Sequence, residues 1–156
     1  MSVGVLGLSH LGIVSSVAMA SKGFDVIAYD VDTALCDRLG RGELPIAEPQ
    51  LPELLAEHRQ RLRFTSDPAA LGACDLLVCA ADVPTDEGNR SDLSRIRTLI
   101  DTALAHANDA ATLVVLSQVP PGFTRALAQR LDGAGRRAVF YQVETLIFGR
   151  AVERAV

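Results

Sequence analysis

Nothing restricts the fold of this chain more than VGVLGLSHLG, Val3 to Gly12. Val3 to Leu6 reads as a buried strand. Leu11 to Ala20 carries helical spacing, and Lys22-Gly23 ends it. Between them lies Gly7-x-Ser9-x-x-Gly12. In a dinucleotide-type turn the first glycine permits the sharp reversal, and the second lets the backbone approach a pyrophosphate. The third packs helix closely on strand. The helix start adds amide donors and a field that favours phosphate. Gly7 and Gly12 meet their requirements, but Ser9 stands where the second glycine is usual. Its hydroxyl either bonds a phosphate or displaces it, and the sequence does not choose.

The rest of the chain repeats the alternation. Phe24 to Tyr29 is a second strand closed by Asp30, and Asp32 caps a helix over Thr33 to Leu39. A proline-rich loop, Gly42 to Leu51, precedes a helix that Pro52 opens and that runs to His58. Leu62 to Thr65 reads as a strand, and Asp67-Pro68 opens a small helix. Cys74 to Ala81 is a strongly apolar strand, and a helix spans Leu93 to His106. Thr112 to Leu116 is a strand. Pro120-Pro121-Gly122 opens a helix to Leu131, and Ala138 to Tyr141 is a further strand. Apolar strands alternating with helices predict a parallel sheet covered on both faces. The expected fold is a Rossmann-like three-layer αβα sandwich with a mainly parallel sheet, one domain over residues 1–156.

Asp30 sits where a carboxylate would accept bonds from an adenosine ribose, and its charge would repel a 2′-phosphate. NAD is therefore the expected cofactor, in preference to NADP. The plainer alternative is a βαβ unit in which Asp30 only caps a turn.

Several classes are disfavoured. The formal charge is −4, from 15 basic and 19 acidic residues, which argues against non-specific nucleic-acid binding. Gly135-Arg136-Arg137 reads as a surface turn. No apolar run reaches membrane-spanning length, and the N-terminus does not read as a signal peptide. Cys36, Cys74 and Cys79 have no metal-type spacing and suggest a reducing, cytoplasmic setting. His10, His58 and His106 make no metal set. Asp82, Asp86, Glu87 and Asp92 read as a solvated turn, so no metal is expected.

Beyond the fingerprint, the chain resembles the N-terminal domain of the UDP-glucose/GDP-mannose dehydrogenase family. RGELPIAEPQLPELL (Arg41 to Leu55) is similar to that family's glycine–proline–isoleucine–glutamate–proline loop. The resemblance continues through RLRFTSD, VPTDEGNRSDLS, SQVPPGFT and YQVETLIFGRAVE. It implies NAD-dependent oxidation of a nucleotide sugar at C6 and a place in polysaccharide biosynthesis. Carried across by position, it puts Gly7, Ser9, His10, Leu11 and Gly12 on the phosphate loop and Asp30 on the ribose. Pro84 and Thr85 fall on a cofactor-contacting loop. Ser117 falls beside the nicotinamide region, and Gln118 takes the place of a threonine associated with water positioning. Glu144 matches a glutamate near cofactor and sugar, catalytic only in a complete assembly. His10 is also open to local packing or capping.

The departures cluster on the reactive edge. Gln142-Val143 replaces asparagine–proline. Thr145, Ile147 and Phe148 replace a phenylalanine, an arginine and a glutamate of the helix expected there. The family's nucleophilic cysteine and its lysine and asparagine partners belong to later domains, and none of the three cysteines here takes that role. The chain is expected to stop before the last strand of its domain and to be catalytically incomplete alone. A nucleotide sugar would be bound only if a substrate domain were supplied, by a separate chain for example. The alternative from another class is a non-catalytic interaction or regulatory protein that retains the fold and forms a homodimer through the exposed sheet edge.

Overall fold

The computed structural model describes residues 1–132 and 138–156. Gly135-Arg136-Arg137 lies outside the described residues. Six strands form one sheet: β1 (Ser2–Leu6), β2 (Asp25–Tyr29), β3 (Leu62–Thr65), β4 (Leu76–Cys79), β5 (Thr112–Val115) and β6 (Val139–Tyr141). Their order is β3-β2-β1-β4-β5-β6, with every pairing parallel. The described helices are α1 (His10–Ser21), α2 (Thr33–Gly40), α3 (Leu51–His58), α4 (Ser94–His106), α5 (Phe123–Asp132) and α6 (Ala151–Ala155). Short 3₁₀ turns cover Arg59–Arg61 and Pro68–Ala73.

The apolar strands explain the layering. Alternate residues of a strand face opposite sides of the sheet. Leu77 and Cys79 join Ile96, Leu99 and Ile100 of α4 in one core, with Leu113 and Val115 of β5. Val78 joins Val3, Val5 and Val26 on the other face, with Ala20 of α1. A third cluster packs Ile13, Val14 and Val17 of α1 against Leu51 and Leu55 of α3, and against Ala151 and Val152 of α6. Both faces are therefore dry, as a parallel sheet requires.

β1 is the pivot of the topology. The chain passes from β1 to β2 and β3 on one side, then returns to place β4 on the other. The loops after β1 and β4 therefore part at the carboxyl edge, where open sheets of this kind form their ligand crevice.

Candidate functional site at the switch point

The turn after β1 is tightly built. Gly7 has φ +88°, and an added Cβ would stand 2.7 Å from the Ala81 Cβ. A Cβ on Gly12 would stand 1.9 Å from the Gly7 carbonyl oxygen. Helix α1 therefore lies against the strand end as closely as backbone allows. Gly7 N–H donates to the Tyr29 carbonyl, fixing the turn to β2.

Ser9 has extended dihedrals, φ −69° and ψ −178°, which place no demand for glycine. Its hydroxyl donates to the Ala80 carbonyl at 2.7 Å and accepts from Gly12 N–H at 3.4 Å. The side chain is thus the N-cap of α1 and a tie to the end of β4. The N–H groups of His10 and Leu11, in the first turn of α1, bond to no described residue. Two orphan donors at a helix start, beside a glycine-lined approach, fit a phosphate.

Asp30 follows β2 directly, and its side chain is fully buried. Oδ2 accepts from Leu8 N–H at 2.8 Å, and Oδ1 accepts from Asp32 N–H at 3.1 Å. Arg95 Nη2 reaches both oxygens, at 3.1 and 2.9 Å. Asp30 is more than a turn cap, since it joins the phosphate turn, β2 and α4. Arg95 was not legible as a site residue. One signal for it exists: a cation in the first turn of α4 opposes the helix field, which asks for an anion nearby.

A cleft of ≈ 330 Å³ opens beside the turn, lined by His10, Leu11, Pro84, Ser117, Gln118, Glu144, Leu146 and Phe148 among others. Of the sequence-predicted positions, the structure brings His10, Leu11, Pro84, Ser117, Gln118 and Glu144 together here. Thr85 sits just outside, bridged to Ser91 in the loop after β4. Ser117 is buried, and its hydroxyl faces the Cys79 carbonyl at 3.3 Å. Glu144 is half-buried, with Oε1 accepting from Thr145 N–H at 2.7 Å.

One reading of the sequence needs correction. No helix contains Thr145, Ile147 and Phe148: residues 142–147 are irregular, and 148–149 form a turn before α6. Gly149 takes φ +79°, and its N–H donates to Glu48 Oε1 at 2.8 Å, so the backbone cannot continue helically there. Glu48, unremarked beyond its motif, is an organising residue. Its enclosed carboxylate also accepts from Ala151 N–H at 3.2 Å and pairs with His10 Nε2 at 2.8 Å. Burial pushes this carboxyl up, but the bonds from Gly149, Ala151 and His10 outweigh burial and hold it below the usual glutamate value. The His10 ring meets Phe148 edge-on at 4.6 Å.

All three thiols are buried. Burial pushes Cys79 up to about 11, and raises Cys36 and Cys74 as well. Asp86 is occupied by Gly88 N–H, Arg90 N–H and the Arg90 guanidinium. Among the described residues, no group of three His, Cys, Asp or Glu is placed to hold a metal. No described helix is long and apolar enough to cross a membrane.

Comparison with known proteins agrees with this geometry. The NAD binding domain of the UDP-glucose/GDP-mannose dehydrogenase family matches residues 1–147. A UDP-glucose 6-dehydrogenase of Bacillus subtilis is 32% identical over 144 residues, covering 90% of this chain and 31% of its own length. A GDP-mannose 6-dehydrogenase of Pseudomonas aeruginosa is 31% identical, covering 88% and 34%. A solved UDP-D-ManNAc dehydrogenase of Pyrococcus horikoshii superposes with TM-score 0.92 at 26% identity, over 98% of this chain and 38% of that one. The chain thus spans about a third of the length of these relatives.

Proposed function

The chain belongs to the UDP-glucose/GDP-mannose dehydrogenase family, with its NAD-binding domain over residues 1–147, and we propose that it holds NAD for the 6-oxidation of a nucleotide sugar. The observation that carries this is the phosphate turn, with its orphan His10 and Leu11 N–H groups at the start of α1. In this reading Gly7, Ser9, His10, Leu11 and Gly12 form the pyrophosphate cradle, and Asp30 serves the adenosine ribose. Pro84 and Thr85 wall the cofactor, and Ser117 and Gln118 face its nicotinamide side. NAD supplies the hydride acceptor.

Glu144 lies at the same mouth and, in a complete assembly, orients water or takes a proton at its carboxylate. A covalent step needs an accessible thiolate. The three enclosed thiols here do not provide one, so that step is assigned to a further segment, on the same or a separate chain. The reading places the protein in the cytoplasm and in polysaccharide biosynthesis. One observation favours a non-catalytic second reading: Val143 and Phe148, on the altered edge, are 70% and 76% exposed. A homodimer through the exposed edge of the sheet at β6 is its expected sign, and a monomer by light scattering removes it.

Calorimetric titration of the 156-residue chain with NAD tests the main reading. Saturable binding is expected, and its absence at millimolar NAD overturns it. NADH formation on adding UDP-glucose or GDP-mannose would overturn the assignment of the covalent step elsewhere.

A further inference from the structure

We propose that Arg95 makes the adenosine-ribose subsite tolerant of a 2′-phosphate, so that NADP is held as well as NAD. The inference rests on reading Asp30 as the ribose residue. An acid at this position selects the unphosphorylated ribose in two ways: it accepts the hydroxyl protons, and it repels a phosphate. Both are blunted here. An ionised carboxylate has about four lone-pair sites. Leu8 N–H, Asp32 N–H and two contacts from Arg95 Nη2 fill them. The ribose hydroxyls find no vacant acceptor unless Arg95 swings away. The Asp30 charge is paired at 2.9 Å.

The outer part of Arg95 points to the ligand. Its side chain is 54% exposed while the carboxylate it holds is 0% exposed. Its Nε and Nη1 N–H donors bond to no described residue. A guanidinium that grips a buried acid with one nitrogen keeps its other donors for an anion, and its planar fork suits phosphate oxygens. Asp32 adds negative charge to this region, but its Oδ1 is turned to cap α2 through Leu35 N–H at 3.0 Å. A 2′-phosphate can therefore sit on Arg95 without breaking the Asp30 pair. An unphosphorylated ribose reaches Asp30 only by displacing it.

The test is calorimetric titration of the full chain with NAD, NADP, 5′-AMP and 2′-AMP, in the wild type and in Arg95→Ala. The wild type should hold NADP within about tenfold of NAD and should bind 2′-AMP saturably. Arg95→Ala should weaken NADP and 2′-AMP by about tenfold or more while NAD, whose ribose no longer has to displace the guanidinium, is held at least as tightly as by wild type. Arg95→Lys, which keeps charge but not the fork, should fall between them. A wild type that holds NAD and rejects NADP overturns the proposal, whether or not the variants fold. So does a variant that shifts both dinucleotides equally. If 2′-AMP binds through Arg95 while neither dinucleotide does, the cofactor reading fails and the role of Arg95 stands. If nothing binds, both fall.

Discussion

His10 and Glu48 meet at 2.8 Å, Nε2 to Oε1, across a carboxylate that solvent does not reach. The same carboxylate accepts from Gly149 and Ala151 N–H. One side chain thus fastens the start of α1, the proline-rich loop and the segment that enters α6.

A pH dependence follows from this junction. The Glu48 carboxyl is held below its ordinary value of 4.5 by these bonds, against the upward push of burial. Between the folded and unfolded values the unfolded chain binds more protons, so stability rises with pH there. The contribution is complete above 4.5 and is lost as pH falls through the folded value. Glu48→Gln should therefore melt lower than wild type at neutral pH and lose less on acidification. Melting curves by circular dichroism from about pH 3 to 7 read this difference. Parallel wild-type and variant curves would show that Glu48 carries no proton-linked stability.

Much of the layout was legible because apolar patterning reports burial. Leu62 to Thr65 has the same bounds as β3, and the pattern also places α1, β2 and α4 to within a residue or two at each end. Patterning does not report pairing, so Cys74 to Ala81 overran β4. Ala80 and Ala81 are buried beside the turn after β1, past the ladder. The roles of Glu48 and Arg95 stayed hidden for a different reason. Their partners lie 101 and 65 positions away, at Gly149 and Asp30, and only the folded chain brings them together. Ser9 was ambiguous in sequence because its two outcomes share a residue type. The Ala80 carbonyl resolves where its hydroxyl points.

The closeness of α1 to β1 can be tested directly. Gly12→Ala forces a Cβ to within 1.9 Å of a backbone oxygen, which cannot rotate away. A loss of about 3 kcal/mol or more is expected, up to failure to fold. Gly40→Ala, with nothing within 4 Å of its Cβ, should change stability by no more than about 0.5 kcal/mol. Urea titrations compare the two. Equal effects would mean that the contact at Gly12 is relieved by backbone movement.

Asp30 joins stability to binding. Asp30→Asn leaves one acceptor oxygen for two backbone donors and removes the charge opposite Arg95. The expected cost is about 1–3 kcal/mol. NAD affinity should fall by about tenfold as the ribose, which reaches Asp30 by displacing Arg95, loses an ionised acceptor. An affinity equal to wild type, measured on folded variant, would remove Asp30 from the ribose subsite.

The thiols allow the sharpest chemical check on where catalysis resides. Cys79 is completely enclosed in β4, pushed up to about 11 by burial, with the Ala81 backbone and Ser117 only partly offsetting it. Cys36 and Cys74 are raised chiefly by the same cause. At pH 8 a thiol near 11 is ionised in only about one molecule in a thousand, and attack requires the thiolate. Native protein should therefore give no fast thiol release with a disulfide reagent at about pH 8. In the guanidinium-denatured chain Cys36, Cys74 and Cys79 should all react, each forming a mixed disulfide and releasing one reagent thiolate. A fast stoichiometric reaction of one native cysteine would show an accessible thiolate in this domain. The covalent step would then no longer need a residue from another segment.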